Sequence, residues 1–487
     1  MEKIFKDKKM AAVTNSMPGN VDTSDWFKSL SETGKERKQD KNSIMNRAKD
    51  KRSWFCVHPF AEMFIELDGS YKACCLAGKS DKHTINNTPI KTWMEDSDYL
   101  KNLRKEMLDP AKHGTKAINE HCIRCVKDET RYGKSRRTHH MWRESNSKER
   151  WDRIERNVRM YEQSGQWTFD ERIMQIQLKS FGIECNLDCH MCNHDSSSMR
   201  IDMMDKHGVY SEKMFGTMKN TKRKIKLVED NLNKIDRKSV VDQIKELAPY
   251  LNSIKIIGGE PLIMKKYFDF LTEIVKTGHA PYITVKFQTN LTKLGEGKHK
   301  FIDFIPQFKQ VSFTASIDGI NENAEYLRRR SNWKEIEENI DLLNADKYKG
   351  KAYVDVNSVV TCFSVLRFDE VIKYCAKNPG IRSAGWLMIE RPKSLRVNNL
   401  PKKLKDQLIP KYEGWPDIQA ALRMPEEPDN DFQDTLNYML QQDKAYEGTK
   451  WESHLFKVFT ELEEYYDPMY NHNANLKLNI KNNEDIL

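Results

Sequence analysis

Three cysteines near the centre of the chain are spaced to bind a metal centre. Cys185, Cys189 and Cys192 form a CxxxCxxC arrangement on one short segment. Three thiolates on a short loop can bind three irons of a four-iron, four-sulfur cluster, and the lack of a fourth cysteine nearby leaves one iron open to a small-molecule ligand. Zinc is the alternative, with His190 or His194 as the fourth ligand, because zinc accepts mixed thiolate and imidazole ligands.

A second group of cysteines lies nearer the amino terminus. Cys56 and Cys74 stand on either side of Gly69, and Cys122 and Cys125 form a CxxC pair. A glycine turn can return one thiolate toward another, and the CxxC pair then completes a shell of four thiolates. Such a shell suits an iron-sulfur cluster or a zinc ion, and both interpretations stay open for this segment.

Composition predicts a soluble protein, and the lack of a targeting segment predicts a reducing compartment. Of 487 residues, 38% are hydrophobic and 31% are charged, which permits a packed interior with a heavily solvated surface. The sequence lacks both a run of about 18 apolar residues and a secretory signal, so we expect a cytoplasmic protein without a membrane partner. Cysteine groups in such a compartment are more often metal ligands than disulfides. Cys75, Cys362 and Cys375 are predicted to be structural.

The formal net charge of +9 raises the question of a nucleic-acid partner. The basic residues are spread thinly along the chain, and no recognisable nucleic-acid-reading motif accompanies them. We therefore expect solvated connecting segments and no nucleic-acid partner, while an acidic substrate or partner stays open.

Strands and helices are predicted to alternate beyond about residue 172. Alternating or continuous apolar runs predict strands over 173–181, 253–257, 282–288, 310–317, 352–360 and 385–389. Helical spacing of apolar residues predicts helices over 240–251, 267–275, 298–308, 333–343 and 368–375. Six strands with intervening helices imply an α/β fold with a parallel sheet, either doubly wound or closed into a partial barrel.

The pattern divides the chain into five predicted regions. Residues 1–52 form a disordered basic arm, and residues 53–137 form a small module with a β-hairpin and a metal core. A helical linker over 138–170 precedes the α/β region of 171–392. Residues 393–487 are predicted to form a helical extension that ends in a polar tail.

The three-cysteine loop and its setting resemble the radical SAM superfamily. The signature of that superfamily is CxxxCxφC directly after the first strand of a partial six-stranded barrel, and the resemblance covers residues 172 to about 392. It implies a partial (β/α)6 barrel. Gly258, Gly259 and Glu260 follow the second strand and match the motif that contacts the amino group of S-adenosylmethionine (SAM) in this superfamily.

Further residues resemble the superfamily's cofactor contacts. Ser316 lies in a stretch similar to the one that follows the cofactor ribose, and Arg328 resembles an arginine that approaches the cofactor carboxylate. Met191 stands where the superfamily usually has an aromatic residue, and its thioether can still cover the adenine. Asn290 and Asp318 lie in matching stretches but are predicted to be ordinary surface or turn residues.

The amino-terminal cysteines resemble the Twitch module, a shortened form of the SPASM domain that binds an auxiliary iron-sulfur cluster in radical SAM enzymes. The resemblance implies that Cys56, Cys74, Cys122 and Cys125 are the cluster ligands. The superfamily usually places this module after the barrel, whereas here it comes before. That order is similar to Twitch-containing proteins of viral and uncharacterised bacterial genomes.

The resemblance as a whole implies an enzyme. Such an enzyme cleaves SAM reductively at its cluster and uses the resulting 5′-deoxyadenosyl radical to take hydrogen from a substrate, with peptide or protein side chains first among the expected substrates. An electron donor such as a flavodoxin or ferredoxin is the expected partner. The sequence identifies no general base. The alternative is a non-catalytic zinc or iron-sulfur protein that acts in nucleic-acid binding or electron transfer.

Overall fold

A computed structural model describes residues 54–132, 135–138, 141, 148–170, 172–427 and 432–468. The predicted basic arm and nearly all of the predicted polar tail lie outside the described residues. Within these ranges, none of the helices combines the length and the apolar composition needed to cross a bilayer.

The strands of the described residues build one large sheet and two small ones. In chain order they are β1 Glu62–Ile65, β2 Tyr71–Lys72, β3 Met174–Leu178, β4 Asp188–Cys189, β5 Leu251–Ile256, β6 Thr284–Thr289, β7 Gly295–Glu296, β8 His299–Lys300, β9 Gln310–Ala315, β10 Arg328–Arg329, β11 Ala352–Val360 and β12 Ile381–Met388. The large sheet has the order β12-β11-β9-β6-β5-β3-β1-β2. β4 pairs with β10, and β7 pairs with β8.

All neighbours in the large sheet run parallel except the β1–β2 hairpin. The six strands from β3 to β12 in this sheet are the six predicted from the sequence. The α/β class and the partial-barrel architecture are therefore confirmed.

The helices of the described residues cover this sheet and form the carboxy-terminal extension. They are α1 His58–Ala61, α2 Ile90–Asp96, α3 Asp98–Leu108, α4 Pro110–His113, α5 Lys116–His121, α6 Ile123–Tyr132, α7 Lys148–Ser164, α8 Ser198–His207, α9 Glu212–Phe215, α10 Met218–Lys234, α11 Arg237–Glu246, α12 Lys265–Lys276, α13 Asn321–Leu327, α14 Trp333–Leu343, α15 Phe368–Lys377, α16 Lys402–Lys411, α17 Pro416–Arg423, α18 Phe432–Tyr446 and α19 Leu455–Val458. Predicted helix 333–343 coincides with α14, where the Asn332 side chain caps the first turn by accepting from Glu335 N at 3.2 Å.

One predicted helix is wrong. Residues 298–308 form the second strand of the β7–β8 hairpin and a short 3-10 turn over Phe301–Phe304. Phe301, Phe304 and Phe308 are all buried, so their spacing imitates a helical face. The positive φ angles of Gly295 and Gly297 instead mark the turn of a hairpin.

The strands of the large sheet have one apolar and one polar face. The apolar face is buried against helices such as α12, whose Tyr267, Phe270, Leu271 and Ile274 are buried. On the other face, one register row crosses five strands: Gln177, Lys255, Lys286, Ser312 and Tyr353. Because the helices cover the apolar face, the polar face lines the interior of the partial barrel.

The amino-terminal segment joins the barrel sheet directly. β1 pairs in parallel with β3, which places Glu62 opposite Gln175. The buried Glu62 carboxylate accepts hydrogen bonds from Gln175 Nε2 at 2.7 Å and from Gln177 Nε2. β1 and β2 form the predicted hairpin, and Gly69 in its turn has a φ of 77°. The boundaries of the five regions stay a prediction.

Candidate functional site

A two-residue bridge fastens the three-cysteine loop to a distant part of the chain. β4 pairs antiparallel with β10, with Cys189 opposite Arg328 and Asp188 opposite Arg329. Successive residues of a strand point to opposite faces. The bridge therefore has a cysteine face, which carries Cys189 and Arg328, and a back face, which carries Asp188 and Arg329.

The three thiols lie close enough to influence one another. Burial raises the pKa of Cys185 to about 12, and the nearby Cys192 thiol adds to that rise. Burial also raises the pKa of Cys189, with further contributions from Cys185 and Cys192, and burial raises the pKa of Cys192. Three thiolates at this position therefore need a cationic partner, which is what the irons of a cluster supply.

Two glycines let the predicted SAM motif pack closely on the cysteine loop. A Cβ atom on Gly259 would lie 2.2 Å from the carbonyl oxygen of Glu184, the residue before Cys185. The φ angles of Gly258 and Gly259 are 99° and 43°, values that favour glycine. Glu260 N donates to the same Glu184 oxygen at 2.8 Å. This contact joins the end of β5 to the cysteine loop.

The buried Glu260 carboxylate connects several segments of the site through hydrogen bonds. It is 1% exposed and accepts hydrogen bonds from Thr289 Oγ1 at 2.7 Å, Asn290 N at 2.6 Å and Leu262 N at 3.1 Å. Burial raises the pKa of Glu260 to about 7, although these donors oppose the shift. Asn290 in turn donates from Nδ2 to Asn186 Oδ1 on the cysteine loop at 2.9 Å.

The predicted arginine reaches the cysteines, but it also has a partner in the chain. Arg328 Nη1 donates to Cys189 Sγ at 3.5 Å, and Arg328 Nη2 lies 2.7 Å from Asp318 Oδ2. Asp318 also accepts from Val359 N at 2.7 Å. Burial raises the pKa of Asp318, and the Arg328 charge opposes that rise.

Two predictions about this region are wrong. Asn290 and Asp318 are not surface residues, since they are 7% and 1% exposed. Each is buried because its polar atoms bond to groups that shape the site, namely Asn186 for Asn290 and Arg328 for Asp318.

The other two predicted SAM contacts lie at the same edge of the sheet. Ser316 follows β9, its N donates to Thr289 O at 2.8 Å, and its Oγ accepts from Gln288 Nε2 at 3.0 Å. Met191 is half-buried and packs against the hydrophobic core.

The two histidines of the loop, His190 and His194, are both buried. His190 is fully buried, with Nδ1 donating to Leu327 O at 2.8 Å and Nε2 lying 3.4 Å from Thr361 Oγ1. His194 packs against the rings of Tyr210 and Phe215, at centroid distances of 5.2 and 4.7 Å. Burial lowers the pKa of His190 to about 4 and that of His194 to about 3. His190 is thus held by a hydrogen bond to the backbone, and His194 packs against aromatic rings.

The four amino-terminal cysteines line one cavity, called here the four-cysteine cavity. Cys56 comes before α1, Cys74 follows β2, Cys122 separates α5 from α6, and Cys125 lies in α6. Apolar side chains complete most of the wall, together with a histidine and two arginines. Cys75 is not among the lining residues.

Burial is also the main cause of the raised pKa values of the thiols in this cavity. It raises the pKa of Cys56 and of Cys74 well above the ordinary value, and it raises that of Cys122 and Cys125. The Arg137 guanidinium opposes the rise at Cys56. A centre that neutralises four thiolates fits this donor set, and a cluster spreads its ligands over several metal ions. Among the described residues, no three His, Cys, Asp or Glu side chains are grouped tightly enough to hold one metal ion.

The structure adds residues that the sequence did not indicate. His58, Arg136 and Arg137 line the four-cysteine cavity. His58 Nδ1 lies 2.8 Å from Glu62 Oε2, one helical turn along the chain. The spacing of four residues between His58 and Glu62 was a usable signal, whereas nothing local marks the two arginines as cavity residues.

Comparison with known proteins identifies one domain. Residues 180–361 match the family model described as Radical SAM superfamily. No curated protein matches the chain in sequence.

Solved structures with some likeness include native anSMEcpe with bound AdoMet, at 18% identity and a TM-score of 0.32. That match covers 52% of this chain and 63% of the other, so it spans less than two thirds of anSMEcpe. Streptococcus suis SuiB has 11% identity and a TM-score of 0.32, over 75% of this chain and 70% of the other. Four strands of the large parallel sheet, β5, β6, β9 and β11, lie within residues 180–361, the segment that matches this family model.

Proposed function

We propose that the chain is a radical SAM enzyme whose Cys185, Cys189 and Cys192 hold a four-iron, four-sulfur cluster. The observation that carries this proposal is the β4–β10 bridge, which brings Arg328 to within 3.5 Å of Cys189 inside a domain of the matching family. When bound, the cluster supplies the electron that cleaves the carbon–sulfur bond of SAM and so produces a 5′-deoxyadenosyl radical.

The chain's own residues bind and orient the cofactor. Gly258 and Gly259 present backbone to the SAM amino group, and Glu260 holds that segment against the end of β6. Arg328 offers its guanidinium to the SAM carboxylate. Ser316 would lie along the ribose of the bound cofactor, and Met191 would cover its adenine.

The four-cysteine cavity is proposed to hold an auxiliary iron-sulfur cluster on Cys56, Cys74, Cys122 and Cys125. Support comes from the four thiols that line one cavity and from the two arginines beside them. Four thiolates leave no open iron, so this centre suits electron transfer better than direct SAM binding.

The substrate enters from the mouth of the partial barrel, where the radical is formed. A peptide or protein side chain is the proposed substrate, and the partly exposed members of the polar interior row, Lys255, Lys286 and Tyr353, would give such a group hydrogen-bonding partners. The proposed reductant is a flavodoxin or ferredoxin, and the proposed location is the cytoplasm.

The test is anaerobic reconstitution with iron and sulfide, followed by reduction with dithionite in the presence of SAM and an assay for 5′-deoxyadenosine. The wild type should form 5′-deoxyadenosine, and Cys189→Ala should not. Cys375→Ala is the matched control, since that cysteine is buried in α15 outside both groups. An iron-loaded wild type that forms no 5′-deoxyadenosine would contradict the proposal. A colourless zinc protein would favour the non-catalytic alternative instead.

A further inference from the structure

The back face of the β4–β10 bridge points into the carboxy-terminal extension. Asp188 is fully buried and Arg329 is 1% exposed, although both are charged and each is next to a residue of the cysteine face. Their partners lie mainly on α18 and on the segment that follows it. That region lies beyond residues 180–361, which match the family model.

Asp188 is held by α18 and α8 together. Tyr446 donates from its hydroxyl to Asp188 Oδ2 at 3.3 Å, and Gln442 donates from Nε2 to the same oxygen at 3.5 Å. Arg200 of α8 pairs with Asp188 Oδ1 and also donates to the hydroxyl of Tyr438. Two residues of α18 on one helix face, Gln442 and Tyr446, therefore contact the carboxylate that precedes Cys189, and Tyr438 on the same face contacts its partner Arg200.

Arg329 is held by the same helix and the loop after it. Its guanidinium pairs with Asp443 of α18 and donates to the carbonyl oxygens of Trp451 and Ser453 at 3.3 and 3.1 Å. Asp443 is itself fixed, because it accepts from Leu455 N at 2.7 Å and from Tyr326 OH at 3.0 Å.

Buried charges that are paired in this way have little freedom to move. Loss of one partner leaves the other charge uncompensated at a buried position, so the arrangement strongly favours a single register. The register it favours is the one that sets Cys189 opposite Arg328 on the other face of the bridge.

We propose that α18 is a positioning element of the SAM site. By holding Asp188 and Arg329 it fixes the distance between the Cys189 ligand and the Arg328 guanidinium, which binds the SAM carboxylate. Tyr446 and Asp443 are its positioning residues, and neither touches the cofactor. This inference rests on the proposed function and extends the SAM site beyond the domain that matches the family.

Tyr446→Phe is the main test variant, because it removes one hydroxyl and keeps the ring. Tyr412→Phe is the matched control. The Tyr412 side chain is also buried in the carboxy-terminal extension, but its hydroxyl donates to Val365 O and contacts neither Asp188 nor Arg329. Asp443→Asn, which keeps the shape of the side chain, is the second variant.

The measurements are iron content, melting temperature, the electron paramagnetic resonance spectrum of the reduced protein with and without SAM, and kcat and KM for SAM cleavage. We expect Tyr446→Phe and Asp443→Asn to raise KM for SAM by roughly tenfold, because Arg328 is then held less firmly opposite Cys189; tenfold corresponds to about 1.4 kcal/mol of SAM binding. The spectral change that SAM induces should weaken in both variants. Iron content and melting temperature of Tyr446→Phe should match those of Tyr412→Phe.

The inference is overturned if Tyr446→Phe and Asp443→Asn keep the wild-type KM and the wild-type spectral change. If Asp443→Asn does not fold, Tyr446→Phe decides alone. Failure of the proposed function has a different signature, since an iron-loaded wild type would then show neither SAM cleavage nor a spectral response to SAM. That result would overturn both.

Discussion

The three-cysteine loop and the four-cysteine cavity gather their thiols in opposite ways. Cys185, Cys189 and Cys192 belong to eight consecutive residues, so their spacing is set locally. The cavity takes its four cysteines from three separate segments, before α1, after β2 and around α6, so only the folded module brings them together. Cysteines can therefore be brought together either by their spacing in one short segment or by the packing of separate segments.

The residues that support the two sites show the opposite contrast: those of the loop are distant in sequence, and those of the cavity are local. The locally encoded loop depends on distant groups for its orientation: Glu260, Asn290, Arg328 and α18. The cavity is enclosed mainly by residues of its own segment, between Trp54 and Arg137. The proposed SAM site would need precise support from other segments, whereas the proposed auxiliary site can be held by its own segment.

The largest expected effect comes from removing each set of thiols separately. Replacement of Cys185, Cys189 and Cys192 by alanine should abolish 5′-deoxyadenosine formation while the cavity keeps its iron. Replacement of Cys122 and Cys125 should remove the cavity iron while SAM cleavage persists. Iron analysis and the 5′-deoxyadenosine assay measure both outcomes. Loss of all iron in either variant would show that the two sites are not independent.

Gly259→Ala should be the next most damaging change. The added Cβ would meet Glu184 O at 2.2 Å with φ at 43°, so we expect a loss of about 2 kcal/mol in the free energy of unfolding and loss of SAM cleavage. Gly208→Ala is the control, since Gly208 has a φ of 66° but no atom within 4 Å of the added Cβ. Urea unfolding should show a cost of only about 1 kcal/mol there. Equal costs would mean that the close contact at Gly259 is unimportant.

Glu62→Gln should test the connection between the cavity and the barrel. Burial would raise the pKa of Glu62, but His58 outweighs it and lowers the pKa to about 2. A depressed folded-state pKa adds stability above the unfolded value of 4.5, and that stability is lost as the pH falls from 4.5 to 2. The full contribution is on the order of 3 kcal/mol.

Urea midpoints of the iron-free protein between about pH 3 and 5 should therefore fall more steeply for the wild type than for Glu62→Gln. Glu229→Gln, at an exposed position of α10, is the control and should follow the wild type. Parallel curves for wild type and Glu62→Gln would mean that the His58–Glu62 pair adds no stability.

The smallest expected effect distinguishes two adjacent cysteines. Cys74→Ser should lose the cavity iron, whereas Cys75→Ser should change iron content and SAM cleavage by less than about twofold, because Cys75 does not line the cavity. Iron analysis of the two purified variants is sufficient. Iron loss in Cys75→Ser but not in Cys74→Ser would mean that Cys75, and not Cys74, is the ligand.

Periodicity and spacing predicted much of this molecule. The six barrel strands follow from apolar patterns that each element carries within itself. Helix 298–308 was wrong because three buried phenylalanines imitate helical spacing in a segment whose glycines form a hairpin.

The bracing of the sites could not be predicted in the same way. Asp188 and Tyr446 are 258 positions apart, and no local sequence feature of either residue predicts their hydrogen bond. Asn290 and Asp318 looked like surface residues because their types are typical of turns, while their burial depends on partners elsewhere in the fold. Pairing of β1 with β3 likewise joins segments that the sequence separates by a long helical linker.

That pairing has a consequence for solubility. The first barrel strand, β3, has neighbours on both sides, because β1 occupies the edge that the barrel alone would leave open. The sheet then ends in β2, a strand of only two residues, which offers little to an incoming chain. A protein shortened to the barrel would expose the fully buried β3 as a free edge. A free edge of this kind can pair with another chain, so we expect the shortened protein to self-associate.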